Sequence, residues 1–233
     1  MTTHTALVTG ANRGIGLAIV RGLAAQGFVV YLGSRDLAGG VTAATGIDGD
    51  IRPIRLDVTS TDDIDEAVRH IDTEVGHLDA LINNAGVNVG YHRPTEESSS
   101  DLRKVYDVNV FAVVDVTNAF LPLLRKSPAG RIVNVTSKRG SIGEDGAWVG
   151  TPSMAYSSSK TALNALTVHY ARDLADTPIK VNGAAPGHVA TDFNGFRGTR
   201  SPDEGAAVAI RLATLDADGP TGLVFEDNTV LTW

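Results

Sequence analysis

Tyr156 and Lys160 stand four residues apart, so on a helix both side chains project from one face. A phenol with an ammonium beside it is drawn from its ordinary pKa of about 10 toward working pH, because the cation stabilises phenolate. Tyrosine then becomes usable as a general acid or base. Such pairs are commonplace on helix surfaces, so the meaning of this one depends on what the rest of the chain brings to it.

A second chemical feature lies near the start. Thr9-Gly10-Ala11-Asn12-Arg13-Gly14-Ile15-Gly16 follows a short apolar run and opens a stretch of helical character. A dinucleotide pyrophosphate demands a tight turn, a backbone it can approach and a helix N-terminus with free N–H groups, and Gly10, Gly14 and Gly16 meet that demand. No GxxxxGK[ST] occurs, so a triphosphate loop is not indicated. The end of the next strand decides which dinucleotide is held. An acid there binds the ribose 2'-hydroxyl of NAD, whereas arginine accepts the 2'-phosphate of NADP. Here the chain reads Leu32-Gly33-Ser34-Arg35-Asp36. Ser34 and Arg35 fall in the deciding slots and Arg13 approaches the same phosphate from the turn, which points to NADPH/NADP+. The competing assignment makes Asp36 the ribose acid and Arg35 a solvated charge. Asp57 and Val58, after the third strand, are expected at the adenine edge, and Asn83, Asn84, Ala85 and Gly86, after the fourth, beside the ribose.

These residues need a scaffold that gathers them at one edge. Apolar runs at 5–8, 28–32, 51–56, 78–82, 131–135 and 179–181 alternate with longer stretches of helical character, the longest at 61–75, 98–124 and 153–175. Strands joined by crossover helices lie parallel, buried on both faces, with ligands beyond their carboxyl ends. The fold class expected is therefore α/β: a single Rossmann-type doubly wound parallel sheet flanked by helices, with residues 1–233 as one dinucleotide-binding and catalytic domain. Ile15, Ile19 and Leu23 share one face of the first helix, and Ala18 and Gly22 keep that face thin enough to pack on the sheet.

Composition agrees. Of 233 residues, 42% are hydrophobic and 20% charged, enough apolar material for a core and too little charge for disorder. Lys+Arg 20 against Asp+Glu 27 leaves a net charge of -7, the wrong sign for nucleic-acid binding. Zero cysteines remove disulfides, zinc thiolates and a thiol nucleophile. No HExxH or GxSxG occurs, so no metal is expected and no α/β-hydrolase serine. Residues 1–5 lack a basic leader, and no run approaches the about 18 apolar residues of a membrane span. A cytoplasmic protein with no membrane partner is expected.

Taken in order, the TGxxxGIG turn at 9–16, Asp57-Val58, Asn83-Asn84-Ala85-Gly86, Asn109, Ser137, Tyr156xxxLys160 and Pro186-Gly187 with Thr191 resemble the short-chain dehydrogenases/reductases in their single-domain form. The resemblance implies that Tyr156 donates a proton to a carbonyl oxygen polarised by Ser137. It implies that Lys160 binds the nicotinamide ribose and depresses the Tyr156 pKa, and that Asn109 holds a water joining Lys160 to solvent. Pro186, Gly187, Val189 and Thr191 would meet the nicotinamide, the last two fixing its carboxamide. Within the family, the segments 118–124 and 201–206 and the ending at Trp233 resemble carbonyl reductases of the monomeric, menthone-reductase-like type. The spacing from Ser137 to Tyr156 is shorter than the long insertion of those monomers, which leaves a homodimer or homotetramer through helices 98–124 and 153–175 open beside a monomer.

The stretches 87–95, 138–151 and 188–198 should form the substrate pocket. Tyr91, His92, Trp148, His188, Phe193 and Phe196 in them point to a hydrophobic ketone, aldehyde or quinone, while Lys138 and Arg139 would suit an acidic group if unsolvated. The expected activity is NADPH-dependent carbonyl reduction. Its rivals are an alcohol dehydrogenase working oxidatively and an NADP-binding regulator without turnover.

Overall fold

Six apolar runs become the strands of one sheet. The computed structural model describes residues 4–148 and 150–232, so Met1, Thr2, Thr3, Val149 and Trp233 lie outside the described residues. The strands are β1 (Thr5–Val8), β2 (Val29–Ser34), β3 (Asp50–Arg55), β4 (Ala80–Asn83), β5 (Arg131–Val135) and β6 (Lys180–Ala185), followed by β7 (Val224–Glu226) and β8 (Thr229–Val230). Their spatial order is β3-β2-β1-β4-β5-β6-β7-β8. All neighbours pair in parallel except β7 and β8. The order reverses between β1 and β4, and the crevice outside the carboxyl ends of those strands is where such a sheet receives its ligand.

Two boundaries depart from expectation for physical reasons. The run at 179–181 grows into a strand reaching Ala185, although Asn182, Gly183 and two alanines are poor strand formers; β5 on one side and β7 on the other supply both ladders. Phe28 stays outside β2 because its N–H closes the preceding helix on the Leu23 carbonyl at 3.2 Å. The antiparallel hairpin of β7 and β8 was not expected, since both strands are very short.

The helices are α1 (Gly14–Ala24), α2 (Leu37–Ala44), α3 (Thr61–Glu74), α4 (Ser99–Tyr106), α5 (Ala112–Leu124), α6 (Met154–Asp173) and α7 (Pro202–Ala213). Serines start three of them: Ser60 accepts from Asp63 N, Ser98 from Asp101 N, and Ser201 forms a capping box with Glu204 behind Pro202 at the first turn. On one face of the sheet α1 and α7 bury Ile19, Leu23, Val208 and Leu212. On the other, α3, α5 and α6 bury Ile64, Ile71, Phe120, Leu123 and Ala171. Gly22 serves a different contact from the one expected. A Cβ there would lie 2.2 Å from Cδ1 of Ile210, so its missing side chain lets α1 approach α7 rather than the sheet.

The expected helix over 98–124 is α4 and α5 joined by a π-helical turn, Asp107–Phe111. Contrary to the expectation that no segment approaches a bilayer span, residues 99–124 have the length and composition of one, with a mean hydropathy of 1.4 in their most apolar window. Half of that window is buried against the sheet and its neighbours, as a core helix requires.

At the opposite edge, Arg131 of β5 is 2% exposed and bonds only carbonyls: those of Gly130 (2.8 Å), Pro178 (3.2 Å), Leu215 (2.6 and 3.0 Å) and Asp216 (3.1 Å). One guanidinium therefore ties the start of β5 to the approaches of β6 and the end of α7. Arg131→Leu should cost about 3 kcal/mol by stranding those acceptors, read as a lowered urea midpoint; a loss below about 0.5 kcal/mol would mean water satisfies them.

Candidate active site

The glycine-rich turn leaves β1 and enters α1 through Gly10 at φ +60°, a conformation that favours glycine. Its shape is fixed by the loop after β4. Thr9 Oγ1 accepts from the N–H groups of Asn84 and Ala85, both at 3.0 Å, and Asn84 Nδ2 donates to the carbonyls of Thr9 (2.8 Å) and Gly10 (3.0 Å). A Cβ on Gly16 would meet that Nδ2 at 2.5 Å, and one on Gly10 the Ala85 Cα at 2.9 Å. Two of the expected glycines thus serve close packing against residues 84–85. Asn84 was expected beside the ribose with the rest of its segment; its side chain instead braces the glycine-rich turn, and nothing local marks which asparagine does so.

Helix α1 starts without a side-chain cap and without an acid in its first turn, so its leading N–H groups suit an anion. Asn12 and Ile15 are partly buried and Arg13 is exposed in the turn. Ser34 is buried and donates to the Asp36 carbonyl at 2.8 Å, while Arg35 beside it is exposed. The Asp36 carboxylate caps α2 by accepting from Ala38 N at 3.1 Å, a structural use that competes with a ribose hydroxyl. Arg13 pairs with Asp192 at 3.1 Å, both side chains well exposed. It therefore faces the segment after β6.

Asp57 is held below the usual carboxylate range, chiefly by hydrogen bonds from Thr59 N and Oγ1, with Arg35 and Arg55 adding weaker attraction. Val58 is buried. The Asn83 side chain does not reach the crevice: it donates to Thr117 Oγ1 (3.0 Å) and Asn134 Oδ1 (2.9 Å) inside the core, leaving only its backbone toward the expected ribose position. Gly86 lies between Asn109 Oδ1 and Lys160 Nζ, which would stand 3.4 and 3.7 Å from a Cβ there. Pro186 is buried after β6, and Gly187 turns the chain at φ +77°. Val189 and Thr191 are 4% and 9% exposed, with Thr191 Cγ2 packed against Gly14.

The catalytic candidates meet beyond β5. Ser137 follows that strand and caps a short 3-10 turn, accepting from Arg139 N at 3.2 Å. The turn lies directly on α6: a Cβ on Gly140 would stand 2.6 Å from the Lys160 carbonyl carbon. That contact sets the Ser137 hydroxyl beside Tyr156, where it acts to lower the phenol pKa. Lys160 is 4% exposed and donates to the Val135 carbonyl at 2.9 Å, with Nζ 5.7 Å from the centre of the Tyr156 ring. Loss of solvent pulls Lys160 down to about 8.

The expectation that Lys160 depresses the Tyr156 pKa is not met. Desolvation pushes the phenol up to about 12, opposed by the hydrogen bond to Ser137, raised further by the Tyr91 phenol and lowered slightly by Arg139. The ammonium is aimed at the Val135 carbonyl and sits over the ring, so the phenol stays protonated.

In the π-helical turn Asn109 Oδ1 accepts from Val87 N (2.8 Å), and its Nδ2 donates to Val87 O and Ser159 Oγ (both 3.0 Å). The side chain ties the loop after β4 to α6 through both Oδ1 and Nδ2. The extra residue of a π-turn lets one side chain enter between neighbouring elements. Ser159 passes the tie on to the Tyr156 carbonyl at 2.7 Å. Glu97 was missed: its Oε2 accepts from Ala155 N at 3.1 Å and caps α6 from 58 positions away, a separation at which no local pattern could flag it.

Around Tyr156, the Phe193 ring stands 5.3 Å away, and Arg197 covers Tyr91 at 5.3 Å. Trp148 and Phe196 are 80% and 66% exposed. Neither cation beside Ser137 is left to solvent: Lys138 pairs with Glu226 at 3.3 Å and Arg139 donates to the Thr151 carbonyl at 2.8 Å.

The family model for short chain dehydrogenases matches residues 4–201. The chain belongs to that family. It is accordingly an oxidoreductase of the kind that acts on alcohol and carbonyl groups. A short-chain dehydrogenase of Penicillium roqueforti, anuI, is 36% identical over 231 residues, covering 92% of this chain and 90% of its own. Carbonyl reductase [NADPH] 1 of Homo sapiens is 33% identical, covering 99% and 98%. Among solved structures, the Pseudomonas aeruginosa RhlG/NADP active-site complex superimposes with a TM-score of 0.86 at 31% identity, covering 96% of this chain and 94% of that one.

The buried pair makes stability depend on pH with a definite sign. Unfolding returns Lys160 from about 8 to 10.5, so the unfolded chain holds the proton more tightly. The ammonium's burial therefore weakens the fold fully below pH 8, and the penalty fades as pH rises to 10.5. Tyr156 acts oppositely: raised from 10.0 to about 12, it stabilises the fold below pH 10 and loses that contribution between 10 and 12. Comparing urea unfolding of the ligand-free wild type and Lys160→Met, the variant's relative stability should fall by about 2 kcal/mol between pH 7 and 10. A difference that does not vary with pH would mean Lys160 titrates as if in water.

Proposed function

We propose that the protein is an NADPH-dependent carbonyl reductase acting on hydrophobic ketones, aldehydes or quinones. The observation that carries this reading is the meeting of the Ser137 turn, Tyr156 and Lys160 beyond β5, with the turn packed on the α6 backbone at Lys160 and the ammonium 5.7 Å from the centre of the Tyr156 ring.

The chain's own residues divide the work. The leading N–H groups of α1 take the pyrophosphate, Ser34 and Arg35 take the 2'-phosphate, and use of Asp36 as a helix cap favours NADP over NAD. Arg13 can leave Asp192 for the same phosphate, since an exposed ion pair holds weakly. Lys160 and the bare backbone at Gly86 receive the nicotinamide ribose. NADPH bound in this way supplies the hydride. Ser137 and Tyr156 hold the carbonyl oxygen between two hydroxyls, and Tyr156 delivers the proton as negative charge develops there. Phe193 supplies an apolar wall beside the reacting oxygen. The NADPH named for the human relative and the NADP named for the Pseudomonas complex agree with this reading.

Purified protein should oxidise NADPH in the presence of aromatic or cyclic ketones and discriminate against NADH. Tyr156→Phe keeps the ring on Phe193 and should lower turnover by about a thousand-fold with NADPH affinity nearly unchanged; wild-type turnover in that variant rejects the mechanism. Arg35→Asp should reverse the preference between NADPH and NADH in kcat/KM, and an unchanged preference would return the 2'-phosphate to other residues.

A further inference from the structure

The hairpin of β7 and β8 carries more charged contacts than a sheet edge requires. Glu226 stands opposite Ala185 of β6, so the turn that follows lies at the carboxyl edge, beside the loops that leave β5 and β6. Asp227 takes a left-handed φ of 51° in that turn. The small apolar cluster of Ala185, Val224 and Leu231 seats the hairpin on the sheet.

Its polar groups reach both walls of the reaction cleft. The loop after β5 is held twice: Lys138 Nζ donates to Glu226 Oε2 at 3.3 Å, and Glu144 Oε1 accepts from Thr232 N and Oγ1, each at 2.8 Å. The loop after β6 is held by Arg200, whose two Nη atoms reach the Asp227 carboxylate at 2.7 and 3.3 Å. Arg211 of α7 fixes the turn by donating to the Asp227 carbonyl at 2.6 Å. Lys138 directly follows Ser137, and the loop after β6 carries Phe193 against Tyr156 and Arg197 over Tyr91. Two segments far apart in sequence, each beside the reacting oxygen, therefore hang on one short hairpin.

We propose that the β7–β8 hairpin is a clasp coupling the loop after β5 to the loop after β6, and that Asp227 and Glu144 are positioning residues that set substrate recognition through it. The effect on substrate rests on the carbonyl-reductase reading; the coupling of the loops does not. Exposed ion pairs contribute little to global stability, so loosening one should free the loops without unfolding the sheet.

Hydrogen exchange on the ligand-free chain separates the two parts. Asp227→Asn removes the charge pair with Arg200 while asparagine tolerates the left-handed turn. Exchange should quicken about three- to five-fold in peptides from 188–200 and also from 138–148, which Asp227 does not touch. Combined with Glu144→Gln, the effects should be less than multiplicative, the mark of sites that act through one element. Quickening confined to 188–200, or independent effects in the double variant, overturns the clasp. In parallel, Asp227→Asn should raise KM for an aromatic ketone by a similar factor at saturating NADPH. An unaltered KM with both loops loosened overturns the positioning role. If no carbonyl compound is turned over even by the wild type, the functional reading fails and the exchange result still decides the coupling.

Discussion

Lys160 is held out of water with a backbone carbonyl as its acceptor, and much of the surrounding structure exists to make that arrangement affordable and exact in position. The loop after β5 has no side chain at Gly140, so it can lie on the α6 backbone at Lys160 itself. The loop after β4 has none at Gly86, which leaves bare backbone beside the ammonium. Asn109 secures that second loop to α6 by spending its whole amide on Val87 and Ser159. With the helix gripped from both sides, Tyr156 and Ser137 have little freedom to separate.

Burial sets the chemistry of this pair as firmly as proximity does. An ammonium without a carboxylate partner holds its proton less tightly, and a phenol screened from water holds its proton more tightly. Both shifts follow from loss of solvent, and together they favour the state in which the tyrosine carries its proton. The hydrogen bond from Ser137 and the guanidinium of Arg139 moderate the effect without reversing it.

A layer of amides and hydroxyls beneath the site transmits this order to the sheet. Asn83 of β4, Thr117 of α5, Asn134 of β5 and Thr167 of α6 form one buried chain of hydrogen bonds, and Thr136 bonds Asn164 at 2.6 Å next to it. Such groups are costly when unpaired, so the network admits few alternative placements of α5 and α6. It also explains why Asn83, in sequence a neighbour of the crevice, faces the core.

Much of the architecture was legible in the sequence because it is written locally. Apolar runs of strand length, a glycine-rich turn between strand and helix and the four-residue spacing of Tyr156 and Lys160 are short-range patterns, and parallel strands with crossover helices follow from their alternation. The residues that hold the site together were not legible, because their partners lie tens of positions away. Asn84 on the Gly10 carbonyl, Glu97 on the Ala155 amide, Gly22 against Ile210 and the tethers of the β7–β8 hairpin are pairings between elements. The balance of charge in the site belongs with them. Spacing placed Lys160 beside Tyr156 and suggested a lowered phenol pKa, but only tertiary packing decided how much water each group would lose and which acceptor the ammonium would face.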